Sequence, residues 1–136
     1  MAPGWYPVRA MGDAKTHYMN GLKLFGQQKF EESIAEYRLA LEAKPDWDEV
    51  LHALATAQSK LGRQDEAIAT LQRVIELTPN DPFVFTSLSI FLQRQGKIPE
   101  AESAAAKARM LAWKEELKKN PNAPPPQMPG QMNVVQ

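Results

Sequence analysis

Apolar residues recur at helical spacing along most of the chain, three or four residues apart, and polar breaks of a few residues interrupt them at regular intervals. This pattern predicts six helices, over about 14–27, 30–43, 48–61, 64–77, 82–95 and 98–119, paired by short breaks at Gln28-Lys29, Gly62-Arg63 and Gly96-Lys97. The expected class is all-α. Prolines frame the same reading: Pro3 and Pro7 stand before the helical region, and Pro121, Pro124, Pro125, Pro126 and Pro129 follow it. Pro82 and Pro99 fall at helix starts, where a missing N–H costs nothing, and Asp81 is placed to cap the first turn of the fifth helix.

The paired periods repeat at an offset of 34 residues, aligning Pro45 with Pro79, Glu32 with Glu66 and Glu100, Leu51 with Phe85, and Leu54 with Leu88. Small residues recur where two helices of a pair must cross: Gly21, Ala55 and Ser89 on the first helices, and Ser33, Ala67 and Ala101 on the second. A helical hairpin cannot bury both of its faces alone, so the copies are expected to stack. The chain is read as an irregular N-terminal arm over 1–12, three repeats over about 14–47, 48–81 and 82–119, and a proline-rich tail over 120–136.

His17, Asn20, Gly21, Leu24, Ser33, Tyr37 and Pro45 in the first copy, and Leu51, Leu54, Ala55, Gln58, Ala67, Leu71 and Pro79 in the second, occupy the signature positions of the tetratricopeptide repeat. The sequence therefore resembles that family over about three quarters of its length. The third copy keeps Phe85, Leu88, Ser89, Leu92, Ala101 and Ala105, but Trp113 stands where the closing proline belongs, so its second helix is expected to run on. The resemblance implies a right-handed superhelical solenoid of three hairpins with an extended last helix. It further implies that the first helices line a concave groove for an extended peptide or protein segment. By position, that groove would be lined by Lys15, Tyr18, Leu22 and Phe25, then His52, Thr56 and Lys60, then Phe83, Ile90 and Arg94, with Met19, Ala53 and Ser59 beside them. Tyr18, Phe25 and Phe83 are the strongest contact candidates, since rings offer large area at small entropic cost; Leu22 and Ile90 serve packing or ligand contact about equally. The carboxylate clamp of chaperone-binding members is missing, because its positions hold Tyr18, Leu22, Ala53, Phe83 and Ser87.

Charge and composition narrow the function further. Sixteen Lys and Arg balance sixteen Asp and Glu, which leaves no positive excess for a phosphate backbone or an anionic lipid surface. Nucleic acid and membrane insertion are therefore not expected, and no run approaches a spanning length. With no cysteine, thiolate metal sites and disulfides are excluded. The two histidines, His17 and His52, lie in different repeats without converging carboxylates: His17 reads as a packing residue and His52 as facing the groove. The acidic pairs Glu31-Glu32 and Asp65-Glu66, with Glu100, all fall in first turns of second helices, where they suit the helix dipole. Catalysis, a metal and a cofactor are all unexpected. Met11-Gly12 resembles an acylation motif, read as coincidence unless Met11 is the true start, since ten residues precede it. The N-terminus lacks a signal-peptide core, which favours a cytoplasmic chain and leaves a processed exported one open.

The leading expectation is a non-enzymatic module that binds a protein or peptide partner. Its alternative is an assembly subunit that docks on a larger complex, or on its own copies, through Met110, Trp113 and Leu117, one face of the last helix. That stripe is set against a simpler reading in which it folds onto its own repeat or lies under the tail. Two segments are candidates to fill the groove from within the chain: the arm with Trp5-Tyr6, and the uncharged tail with its Pro124-Pro125-Pro126 run.

Overall fold

The computed structural model describes the backbone of residues 6–127 and the side chains of residues 13–127. These residues form six α-helices: α1 (Tyr6–Gly26), α2 (Phe30–Ala43), α3 (Asp48–Lys60), α4 (Gln64–Leu77), α5 (Pro82–Arg94) and α6 (Ile98–Lys119). No strand occurs among the described residues, and none of their helices is long and apolar enough to cross a membrane. The chain divides into two compact units, residues 1–77 and 78–136. The division falls at the border between the second and third repeats.

Helix α1 starts at Tyr6, well before the expected start near residue 14, so the backbone of 6–12 is helical instead of an irregular arm. The reason is the place of Pro7. In a first turn its absent N–H has no intrahelical partner to lose and its fixed φ is already helical, so it does not break the helix. The side chains of Trp5 and Tyr6 lie outside the described residues, as do residues 128–136 of the tail.

Each hairpin closes in the same way. Gln28, Gly62 and Gly96, spaced by the repeat, have φ of 63°, 82° and 81°. In each case two backbone hydrogen bonds end the first helix: Gln28 N–H to Phe25 O and Lys29 N–H to Leu24 O (both 2.9 Å); Gly62 to Ser59 (2.9 Å) and Arg63 to Gln58 (3.0 Å); Gly96 to Gln93 (2.9 Å) and Lys97 to Leu92 (3.0 Å). This is the Schellman arrangement, which satisfies carbonyls the helix leaves unpaired. Glycine suits the left-handed residue in two of the turns, and Gln28 holds it in the first at some cost in backbone strain. At the start of α5, Asp81 Oδ1 accepts the Phe83 N–H at 2.9 Å, with Pro82 in the first turn.

In the first unit, α1 packs on α2, α2 on α3 and α3 on α4. Its core joins Ala14, Ile34, Tyr37, Ala40, Val50, Leu54 and Ala57, with Tyr18, Phe25 and Trp47 packed against them. Gly21 lets α1 approach the Tyr37 ring on α2. Between α3 and α4, buried Gln58 accepts from Thr70 Oγ1 (2.8 Å), and buried Ser59 donates to Gln64 Oε1 (2.7 Å). In the second unit, α5 packs on α6. Ser89 donates to the Ala101 carbonyl at 2.8 Å, the close crossing that the small residues at these positions require.

Candidate functional site

The first-helix positions of the first unit divide into packed and presented side chains. Tyr18 is half-buried, its ring 6.1 Å from Tyr37 and 5.0 Å from Trp47, and Lys44 Nζ lies 4.7 Å from the Trp47 ring. Phe25 meets Phe30 edge-on at 5.1 Å. Both rings thus contribute to inter-helix packing. Burial pushes the Tyr18 phenol above its ordinary range, and the Glu49 carboxylate raises it further; burial also raises Tyr37. Met19 and Leu22, by contrast, are 56% and 41% exposed on the same helix, with Lys15 also exposed.

On α3 the corresponding face is more polar. His52 and Thr56 are half-buried, the Thr56 hydroxyl donates to the His52 carbonyl at 3.0 Å, and Lys60 is exposed. Ser59 is buried in the contact with Gln64, and Ala53 packs on the core. His17 turns to α2: its Nδ1 is 3.1 Å from Glu36 Oε2, and Asn20 Nδ2 donates to the same carboxylate at 3.2 Å. This tie of α1 to α2 is what occupies His17. No group of three or more His, Cys, Asp or Glu able to hold a metal occurs among the described residues.

In the second unit, Phe83 is 75% and Ile90 40% exposed on α5, with Arg94 exposed at its end. Phe83 and Ile90 border an apolar hollow of 350 Å³ lined also by Pro82, Thr86 and Ser89 of α5 and by Ala105, Ala108, Arg109 and Ala112 of α6. Leu22 and Ile90 stand two repeat lengths apart and are both presented. The sequence alone did not reveal the α6 wall of this hollow. Its signal is that Ala105 stands where the first repeat has Tyr37.

The proposed stripe on α6 is divided. Met110 lines one hollow with Asn80, Lys107 and Lys114, while Trp113 lines another with Arg109, Ala112, Glu116, Ala123, Pro124 and Pro126. Leu117 is half-buried. The Trp113 indole N–H donates to the Ala123 carbonyl at 3.0 Å, so the start of the tail lies against this helix. Helix α6 runs on to Lys119, as Trp113 in place of proline implies.

Residues 24–89 match the tetratricopeptide repeat family. Those residues carry tetratricopeptide repeats. Over 100 residues it is 27% identical to the Photosystem I assembly protein Ycf3 of Synechococcus sp. (strain WH7803), covering 71% of this chain and 58% of that protein. It therefore spans under three-fifths of that relative's length. Among solved structures it is similar to MamA of MSR-1, with 26% identity and a TM-score of 0.71 over 81% of this chain and 66% of MamA. The Yersinia enterocolitica type III secretion chaperone SycD, solved with a peptide of the translocator YopD, shares the fold at a TM-score of 0.70 and 20% identity, over 77% of this chain and 81% of SycD. The tetratricopeptide fold is consistent with interaction and assembly roles.

Proposed function

We propose that this protein is a non-enzymatic interaction module that binds extended, apolar or amphipathic peptide segments of partner proteins on the first-helix face that each of its two units presents. The exposure of Met19 and Leu22 on α1 and of Phe83 and Ile90 on α5 carries this reading. Large apolar side chains held on rigid helices, with Lys15 and Arg94 at hand for backbone carbonyls or carboxylates, suit a ligand that is mostly apolar with polar edges. The likeness to an assembly protein supports a role in bringing other chains together.

Tyr18 and Phe25 act here through packing, and the contact energy falls to the presented residues. The test is a random-peptide display selection against the full chain, followed by titration of the selected peptides. Affinities near ~1 μM, about −8 kcal/mol, are expected, because a short contact line must also order the ligand. Replacing Met19, Leu22, Phe83 and Ile90 together with Ser should weaken binding at least about tenfold with helicity intact. Undiminished binding by the folded quadruple variant refutes the proposed face.

A further inference from the structure

The hollow beside α5 and α6 has a counterpart earlier in the same chain. Pro82, Thr86, Ser89, Ala105 and Ala108 stand two repeat lengths after Ala14, Tyr18, Gly21, Tyr37 and Ala40. In the first unit the latter set is covered: Ala14, Tyr37 and Ala40 form one core with Val50, Leu54 and Ala57 of α3. In the second unit the equivalent set lines an open hollow of 350 Å³, bordered by exposed Phe83 and Ile90. We propose that residues 128–136 of the same chain occupy this hollow.

The path of the preceding residues leads there. The Asn120 N–H bonds to the Glu116 carbonyl at 2.7 Å and ends α6, and the Ala123 N–H bonds back to the Asn120 carbonyl at 3.0 Å, turning the chain. Trp113 then holds Ala123 against α6, ten residues back along the helix, and buries it. Pro124 and Pro126 continue in a hollow whose α6 wall includes Arg109 and Ala112, and these two residues also line the α5–α6 hollow. The tail interface already formed on α6 is thus continuous with the open one. From Ala112 back to Ala101 the helix is about 16 Å long, and nine further residues reach up to about 30 Å.

The chemistry fits as well. Residues 128–136 carry no charged side chain and include Met128, Met132, Val134 and Val135. The facing wall is alanine, Phe83 and Ile90, an irregular apolar surface to which flexible methionines adapt. A second copy stacking head to tail would instead present α1 with Thr16, Asn20 and Lys23 at the positions that α3 fills with Val50, Leu54 and Ala57. Those polar groups would lose water against an apolar wall. The tail contact does not depend on the function proposed above, but it covers Phe83 and Ile90 and so competes with any peptide bound there.

A photoreactive benzoylphenylalanine in place of exposed Thr86 in the full-length chain tests the contact directly. On irradiation at low protein concentration, peptide mapping should find it joined to residues 128–136 of the same chain. Serine at Met128, Met132, Val134 and Val135 should lower that yield about tenfold. Ending the chain after Gln127 should shift the Ile90 δ1-methyl resonance while leaving helicity unchanged. Links that form only between chains and vanish on dilution would assign the hollow to a second copy and overturn the proposal. Absence of the intrachain link, together with an unmoved Ile90 resonance, would overturn it too.

Discussion

A β-carbon added at Gly21 would come within 2.5 Å of Tyr37 Cδ1, still closer to Cε1, and 3.1 Å from Cζ. The ring has nowhere to go. Tyr37 is 1% exposed and packs against Tyr18 on one side and within the Ile34, Val50 and Leu54 core on the other. Overpacking of such a site costs typically about 1–3 kcal/mol, and a fixed aromatic ring puts Gly21→Ala near the upper end. Against this stands the gain of about 1 kcal/mol for replacing glycine by alanine inside a helix. The net expectation is a loss of about 2 kcal/mol in urea unfolding, with helicity retained. Two other glycines serve as controls. Gly26 has open space around it and no positive φ, so Gly26→Ala should be neutral or slightly stabilising. Gly62 also has open space but a φ of 82°, so Gly62→Ala should lose about 1 kcal/mol through backbone strain alone. In the double variant with Tyr37→Leu the Gly21→Ala penalty should largely disappear. If Gly21→Ala unfolds at the same midpoint as Gly26→Ala, the close α1–α2 crossing is not as described.

The phenol of Tyr37 is raised by burial, so it ionises more readily unfolded than folded; stability should be constant below the ordinary tyrosine value of about 10 and fall as pH rises through the folded value, and Tyr37→Phe should flatten that decline. Denaturant midpoints between about pH 9 and 11 measure it. Thr70→Val leaves the buried Gln58 carbonyl without its donor and should cost about 1–2 kcal/mol, read from the same unfolding curves. Trp113→Phe removes the bond to Ala123 and should speed amide exchange around residues 120–126, with at most about 1 kcal/mol lost globally. Met19→Ser or Leu22→Ser, at exposed positions, should stay within about 0.5 kcal/mol of the parent in thermal unfolding.

Helix ends were legible because several local signals coincide at each one. The 34-residue offset, Gly62 and Gly96 with their left-handed backbone, and Pro82 behind Asp81 all mark the same boundaries, and five of the helices lie within a residue of expectation at each end. The start of α1 was not legible, because a proline reads as a breaker unless its place in the first turn is known. The division of the candidate face was also hidden. Tyr18, Leu22 and Phe25 share a helix face, but which of them turns into packing depends on Trp47 and Phe30, partners outside that helix whose positions periodicity does not set. Trp113 did carry a readable sign, as a large residue where a proline was due, yet its hydrogen bond to Ala123 depends on the turn at Asn120.

The central claim is that partners bind the apolar residues presented by first helices. Titrating a display-selected peptide into the full chain, with the Met19 ε-methyl and the Leu22 and Ile90 δ-methyl resonances followed by NMR, tests it most directly. Leu39 of α2 and Leu77 of α4 are comparably exposed and lie on second helices, so they serve as internal controls. Saturable shifts at Met19, Leu22 and Ile90 with Leu39 and Leu77 unmoved are the predicted result. Shifts confined to Leu39 and Leu77 would contradict the account and place binding on the opposite helices.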